Sequence, residues 1–189
     1  TFDTTSDQYG STETVLSNAS WSYGTPIIAV DSNNKPHIAY KEPVSANPFD
    51  ARYINKVSGS WGSEIDIGTD FNTETLSITI NEDDIPEASY FNYGSKSLVA
   101  AVGNANNATS FTTNTVDSVL AENSSAHEGS SIAIDQDGNT WIAYTDSGDT
   151  LSIVQHQDGD AWSTWQSVQT TSDVAKEPSL AIYKNLMYV

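Results

Sequence analysis

The stretch SSIAIDQDGNTWIAY (130–144) consists of a short apolar run, a polar turn and a second apolar run that ends in Tyr. Asp137-Gly138 favours a tight hairpin turn, because both residues tolerate the positive φ that such turns require. Short apolar runs rich in Ile, Thr and Tyr and separated by such turns are typical of antiparallel strands. This stretch therefore predicts a β-hairpin.

The hairpin pattern recurs along the chain. The other copies are TPIIAVDSNNKPHIAY (25–40), TLSITINEDDIPEASY (75–90) and the opening of a fourth, EPSLAIYKNLMYV (177–189). Their shared Tyr residues, Tyr40, Tyr90 and Tyr144, mark one position of a repeat of roughly fifty residues. Each unit reads as four strands: an inner apolar strand, a second strand ending in Tyr, a third strand, and an outer strand opened by an aromatic residue.

Four-stranded units of this length, without helical periodicity, predict the blades of a β-propeller. We expect an all-β fold with about three full antiparallel blades and two partial ones, in a chain that is part of a longer propeller. The predicted single domain, 1–189, divides into the outer strand of a preceding blade (1–24), three blades (25–74, 75–128 and 129–176) and the start of a further blade (177–189). Face-to-face packing of blades should bury both faces of the inner strands and the repeated Tyr residues.

The composition excludes several classes of function. The chain has 25 acidic and 7 basic residues and a net charge of −18, which argues against nucleic acid as a partner, because phosphate binding needs clustered Lys and Arg. It has no apolar run long enough to insert into a membrane as a helix. It has no Cys, so disulfides and thiolate chemistry are excluded. An acidic surface favours a secreted or cell-surface protein, and sequons at Asn18, Asn107 and Asn123 fall in predicted loops.

One hairpin turn suggests a metal. Asp135, Asp137 and Asn139 offer side-chain oxygens at alternate positions, and Ca²⁺ prefers closely spaced oxygen ligands. The sequence therefore predicts a calcium site at these three residues. The alternative is that Asp, Asn and Gly are present for turn geometry alone, since they are favoured in hairpin turns without any ligand.

The stretch SIAIDQDGNTWIAY (131–144) resembles the repeats of sialidase-like propellers, whose Asp boxes read Ser-x-Asp-x-Gly-x-Thr-Trp. Gly138, Thr140 and Trp141 match this pattern, and Gln136 stands where the box has Asp. The resemblance implies a propeller that is a sialidase, another glycosidase or a noncatalytic binding protein. A sialidase of this kind would need three arginines for the substrate carboxylate. Arg52 is the only arginine here, so sialidase activity within this chain is disfavoured.

The unrepeated loops carry the candidate ligand-binding residues. These are the aromatic residues Trp21, Tyr23, Phe49 and Tyr93 and the acidic residues Glu42 and Asp146. Aromatic faces stack on sugar rings or anchor protein interfaces, and neighbouring polar groups bond to the ligand. We therefore expect a noncatalytic binding or adhesion module that recognises a glycan or a surface protein through its loop face.

Two other functions stay open. One is a glycoside hydrolase or lyase whose paired carboxylates are completed by blades outside this chain. The other is a structural repeat of a surface filament or layer. The sequence assigns no catalytic residue, because no nucleophile, base and orienting group stand in a recognisable arrangement.

Overall fold

The computed structural model describes residues 2–3, 8–9, 11–17, 26–43, 49–71, 76–118, 129–145, 150–157, 162, 166–169, 178–184 and 186–189. These residues form strands and turns, and none of them lies in a helix. Within them, accordingly, no helix is available to cross a membrane. The all-β prediction is confirmed.

The strands follow the predicted four-strand repeat. A short ladder at the start pairs β1 (Phe2–Asp3) with β2 (Gln8–Tyr9). The first blade contains β3 (Ile27–Val30), β4 (Pro36–Pro43), β5 (Phe49–Asn55) and β6 (Ile65–Phe71). The second blade contains β7 (Ser77–Ile80), β8 (Pro86–Asn92), β9 (Ser97–Gly103) and β10 (Phe111–Asp117). The third blade contains β11 (Ser130–Ile134), β12 (Thr140–Thr145), β13 (Leu151–His156) and β14 (Gln166–Gln169), and a hairpin of β15 (Ala181–Tyr183) and β16 (Leu186–Tyr188) follows.

Within each blade the strands pair antiparallel in chain order. The first and second blades are linked at both ends. At one end Phe71 of β6 pairs with Asn92 of β8, which joins the first and second blades into one ladder. At the other end Asp84 accepts hydrogen bonds from the backbone N–H and the hydroxyl of Ser32, each across 2.7 Å. These contacts fix the second blade against the first.

The core consists of two apolar clusters, one between each pair of successive blades. The first cluster includes Tyr53 and Ile67 from the first blade and Ile78 and Tyr90 from the second. The second includes Phe91, Leu98, Ile142 and Tyr144, from the second and third blades. Burial of each such side chain stabilises the fold by about 1.5–3 kcal/mol. The blades are therefore held together mainly by their facing sheets.

The repeated Tyr residues pack as predicted. Tyr40, Tyr90 and Tyr144 are at most 3% exposed. The Tyr90 hydroxyl lies against Gly68 of the preceding blade, and the Tyr144 hydroxyl donates to Asp117 of its preceding blade across 2.7 Å. The Tyr40 hydroxyl donates to Glu64 within its own blade. These tyrosines are structural and do not form a binding surface.

Three details differ from the predicted blades. The expectation that the inner strands bury both faces is wrong for β3, where Ile28 is 61% and Val30 54% exposed, because no described residues pack over that face. The aromatic residue predicted to open the outer strand of the first blade is Trp61, which instead lies in the connection before β6, a strand that begins at Ile65. Of the segment predicted as an outer strand (1–24), residues 2–3 and 8–9 form the short β1–β2 ladder, residues 11–17 carry no strand, and the others lie outside the described residues.

Candidate functional site

The candidate binding surface is an edge of the first two blades that we call the rim. It lies where each second strand leads to its third strand, and it comprises Lys41, Phe49, Asn92, Tyr93 and Lys96. The strand register makes the rim continuous between blades, because Phe49 pairs with Phe71 and Phe71 pairs with Asn92.

Tyr93 is the most accessible aromatic ring of the rim. Its side chain is 48% exposed, and the Lys96 ammonium lies 3.3 Å from the centre of its ring. Such a cation–π contact is worth about 0.5–1 kcal/mol at an exposed site. Lys96 adopts a left-handed φ of 53°, which closes the turn and brings its side chain back towards Tyr93. The ring is therefore exposed and held in place.

Asn92 braces the turn that carries Tyr93. Its side-chain oxygen accepts hydrogen bonds from the Ser95 backbone N–H across 2.7 Å and from the Ser95 hydroxyl across 2.9 Å. Its amide nitrogen donates to the Thr69 carbonyl across 2.9 Å, and so ties the turn to the first blade. A short turn with this many internal bonds presents its aromatic residue in a defined direction.

Phe49 forms a second pair of the same kind in the first blade. The Lys41 ammonium lies 3.7 Å from the centre of the Phe49 ring. Phe49 is partly buried and packs against the cluster between the first and second blades. Two successive blades thus place an aromatic ring with a lysine above it at the same edge. The sequence analysis did not single out Lys41 or Lys96. Lys41 precedes its aromatic partner along the chain and Lys96 follows its partner, so no common sequence spacing marks the two pairs. Strand register in one case and the local turn in the other bring the lysine to the ring.

A charged cluster occupies the opposite face of the first blade. Arg52 Nε lies 2.5 Å from Glu42 Oε2, and Arg52 Nη2 lies 3.4 Å from Asp50 Oδ2. Asp66 contacts the same guanidinium through Nη1. Burial acts to lower the pKa of Arg52, but the three carboxylates outweigh it and raise that pKa. The chain's only arginine thus lies among three acidic side chains.

The structure separates residues that the sequence had grouped. Glu42 pairs with Asp50 and Phe49 pairs with Pro43 in one regular ladder, and successive residues of a strand alternate between its faces. Glu42 therefore lies on the face with Arg52, while Phe49 lies on the face towards the second blade. Phe49 and Tyr93 are brought to one edge. The other predicted ligand-binding residues, Trp21, Tyr23 and Asp146, lie outside the described residues.

The predicted calcium turn is held together by hydrogen bonds. Asp135 Oδ1 accepts the backbone N–H of Asp137 and of Asn139, each across 2.9 Å. Asp135 Oδ2 accepts the Trp141 indole N–H across 2.8 Å and the Asn139 amide across 2.9 Å. Burial acts to raise the pKa of Asp135, but these hydrogen bonds together lower it. Both oxygens of Asp135 thus already have donors.

The same backbone pattern occurs in the other two hairpin turns. Asp31 and Asn81 each accept, through Oδ1, the backbone N–H groups two and four residues later. This repetition supports the turn-geometry alternative. Among the described residues, no three His, Cys, Asp or Glu side chains are grouped as metal ligands. The calcium site stays a prediction, and a melting temperature that rises with Ca²⁺ and falls again in EDTA would support it.

Known proteins resemble this chain in structure only. The chain matches no protein-family model, and no curated protein matches it in sequence. A solved structure described as a Hadza microbial sialidase superposes on 84% of this chain with a TM-score of 0.55 and 11% identity, over 39% of its own length. The chain has a β-propeller fold. The resemblance to sialidase-like propellers is therefore confirmed at the level of the fold.

A second propeller supports this conclusion. An α-L-arabinofuranosidase from Clostridium thermocellum has a TM-score of 0.50 and 15% identity over 84% of this chain and 60% of its own. A fucose lectin from Kordia zhangzhouensis matches over 74% of this chain and 96% of its own, at 9% identity. Its TM-score of 0.43 is too low to indicate a shared fold. This propeller chain spans about two fifths of the sialidase and three fifths of the arabinofuranosidase.

Proposed function

We propose that this chain is a noncatalytic binding or adhesion module of a secreted or cell-surface protein, and that it binds a glycan through the rim. The observation on which this rests is the arrangement of Tyr93, whose half-exposed ring is held by Lys96 in a turn braced by Asn92. The propeller fold, shared with a sialidase and an arabinofuranosidase, is compatible with this function and does not by itself assign it.

The chemistry of the rim suits a sugar. An aromatic ring offers an apolar face on which the C–H groups of a pyranose can stack, while ammonium, amide and hydroxyl groups bond to sugar oxygens. Around Tyr93 these polar groups belong to Lys96, Asn92 and Ser95. Because the turn is already ordered, little conformational entropy is lost when a ligand binds. The Phe49–Lys41 pair provides a second, less exposed contact on the neighbouring blade.

The positions of the carboxylates favour binding over catalysis. A glycosidase places two carboxyl groups on either side of the scissile bond. In the described part of the chain, Glu42 and Asp50 are close together, but both form ion pairs with Arg52. They also lie on the blade face opposite to Phe49. A sugar stacked on Tyr93 would not meet this pair. The rim therefore supports recognition without hydrolysis.

A glycoside hydrolase is the second candidate, because Glu42 and Asp50 are direct partners on adjacent strands and could act as a carboxylate pair with further residues. Hydrolysis of a polysaccharide panel by the intact protein, lost in Glu42→Gln, would support this function. A protein without activity on the panel would count against it.

A glycan array tests the proposed binding function. The wild-type protein and the variants Tyr93→Ala and Tyr183→Ala would be applied to the same array. Tyr183 is a matched control, since it is 61% exposed, has the Lys184 ammonium 5.1 Å from its ring, and lies on the separate β15–β16 hairpin. We expect glycan binding that is lost in Tyr93→Ala and kept in Tyr183→Ala. Equal binding by all three proteins would place the site elsewhere.

A surface protein is the other predicted class of ligand. A pull-down against cell-surface extract with the same variants distinguishes it, because an interface anchored by Tyr93 would capture protein in the absence of any array signal. That result would replace the glycan with a protein partner.

A further inference from the structure

In two of the three blades the first hairpin turn and the second strand are joined by the same side-chain hydrogen bond. In the third blade the Trp141 indole donates to Asp135 across 2.8 Å, and in the second blade the Asn81 amide donates to Glu87 across 3.1 Å. The corresponding residues of the first blade are Asp31 and His37. There the distance between His37 Nε2 and Asp31 Oδ2 is 3.6 Å, which is too long for a hydrogen bond.

Two buried polar atoms without hydrogen-bond partners lie near this position, one in the first blade and one in the second. His37 has no exposed surface, and its Nε2 makes no hydrogen bond. Asn106, in the β9–β10 connection of the second blade, donates its amide N–H to Asp31 Oδ2 across 3.1 Å, while its own side-chain oxygen is buried and unpaired. An unpaired buried polar atom is destabilising, because it has lost its hydrogen bonds to water and gained none in the protein. Both unpaired atoms belong to side chains that adjoin the same Asp31 oxygen.

Other contacts orient these side chains. His37 Nδ1 lies 2.6 Å from the hydroxyl of Tyr53, which is itself buried. A metal-bound histidine almost always has such a partner on its second nitrogen, because that bond fixes the ring and its tautomer. Asp31 Oδ1 accepts the backbone N–H of Asn33 across 2.9 Å and of Lys35 across 2.7 Å, which leaves Oδ2 facing His37.

The charges at this position also suit a cation. Asp31 and Asp84 both act electrostatically on His37. The hairpin turns of the first and second blades thus each bring one carboxylate near the His37 ring, and this negative charge favours a cation.

We propose that His37 Nε2, Asp31 Oδ2 and Asn106 Oδ1 bind a divalent transition metal of the zinc class. Ligand atoms at about 2.1 Å from a tetrahedral ion lie about 3.4 Å apart, close to the separation of 3.6 Å between His37 and Asp31. Rotation of the Asn106 amide by a half turn exchanges its oxygen and nitrogen, so that the oxygen adjoins Asp31. Imidazole in a mixed nitrogen and oxygen set favours zinc and its neighbours over calcium.

Calorimetric titration of the EDTA-treated protein with Zn²⁺ tests this site. We expect one tight site in the wild type, and a loss of affinity of at least about 100-fold in His37→Gln. His156→Gln is the matched control, because His156 is a described histidine on β13, away from these residues, and it should bind Zn²⁺ like the wild type. With Co²⁺ in place of Zn²⁺, visible absorption of the bound ion should be similar in the wild type and His156→Gln and weaker in His37→Gln.

Asn106→Asp keeps the test decisive even if His37→Gln does not fold. Without metal it adds a carboxylate beside Asp31 and should lower the melting temperature. With Zn²⁺ it supplies a charged ligand, so the melting temperature should recover and the affinity should rise by about tenfold. No heat of Zn²⁺ binding in the wild type, together with an Asn106→Asp variant that Zn²⁺ does not restabilise, would overturn the proposal. The glycan-binding assay does not depend on either result.

Discussion

Asn81 donates to Glu87 across 3.1 Å in the second blade, at the position where Trp141 donates to Asp135 in the third. The direction of donation is reversed between the two blades. Where the turn begins with Asp, the strand supplies a donor, and where the turn begins with Asn, the strand supplies an acceptor. The second and third blades therefore preserve complementary hydrogen bonding although the residue types differ.

Asn81→Asp should test this complementarity. The new carboxylate would keep the backbone bonds of the turn but would face the buried Glu87, and we expect a loss of about 1–3 kcal/mol in the free energy of unfolding. Adding Glu87→Gln should restore most of the loss, because a glutamine can donate to the carboxylate. Urea unfolding of the two single variants and the double variant measures the coupling. Strictly additive effects would show that the pair does not interact.

Gly68→Ala should weaken the contact between the first two blades. A Cβ at this position would overlap the Tyr90 hydroxyl, and overpacking of this kind costs about 1–3 kcal/mol. Gly62→Ala is the control, because a Cβ there would meet only the Asn55 carbonyl at an ordinary 3.6 Å. Thermal melts should show a lower melting temperature for Gly68→Ala alone. Equal melting temperatures would contradict the packing described for Tyr90.

Tyr90 should limit stability at alkaline pH. Burial raises the pKa of Tyr90 from 10.0 to about 12, so the folded state resists its ionisation. This contribution is fully present below pH 10, the value of the unfolded chain, and is lost as the pH rises towards 12. The difference corresponds to about 2–3 kcal/mol. Tyr90→Phe should flatten the decline of unfolding free energy over this range, and buried Tyr53, whose pKa is also raised by burial, contributes to the part that remains. An unchanged slope would argue against a buried, neutral Tyr90.

Arg52→Gln should destabilise the first blade. It would leave Glu42, Asp50 and Asp66 without their shared cation, and we expect a loss of about 1–3 kcal/mol, since the guanidinium is 21% exposed. Lys56→Gln removes a pair with the more exposed Glu13 and should change stability much less, because solvent screens that pair. Denaturant midpoints compare the two variants, and similar losses would mean that the Arg52 cluster has no special role.

The sequence predicted the hairpins and the register of Tyr40, Tyr90 and Tyr144 because both are local. Apolar alternation and turn residues act within a few positions, so a repeated phrase is enough to locate them. The exposed face of β3 could not be predicted in this way, since burial depends on what packs over a strand.

The candidate site was only partly predictable. Phe49 and Tyr93 stand out as aromatic residues in loops, but the lysines beside them are set by strand register and by the left-handed turn at Lys96. The separation of Glu42 from Phe49 follows from strand alternation once the pairing of β4 with β5 is known. The shared position of His37, Glu87 and Trp141 was visible in the sequence, and comparison with the first residue of each turn would have revealed the donor and acceptor pairing.

The most direct test of the proposed function is a calorimetric titration of the strongest array glycan into wild type, Tyr93→Ala and Tyr183→Ala. We predict that affinity falls at least about tenfold in Tyr93→Ala, a loss of about 1.4 kcal/mol, while Tyr183→Ala binds like the wild type. Wild-type affinity in Tyr93→Ala, with the fold intact, would contradict binding at the rim.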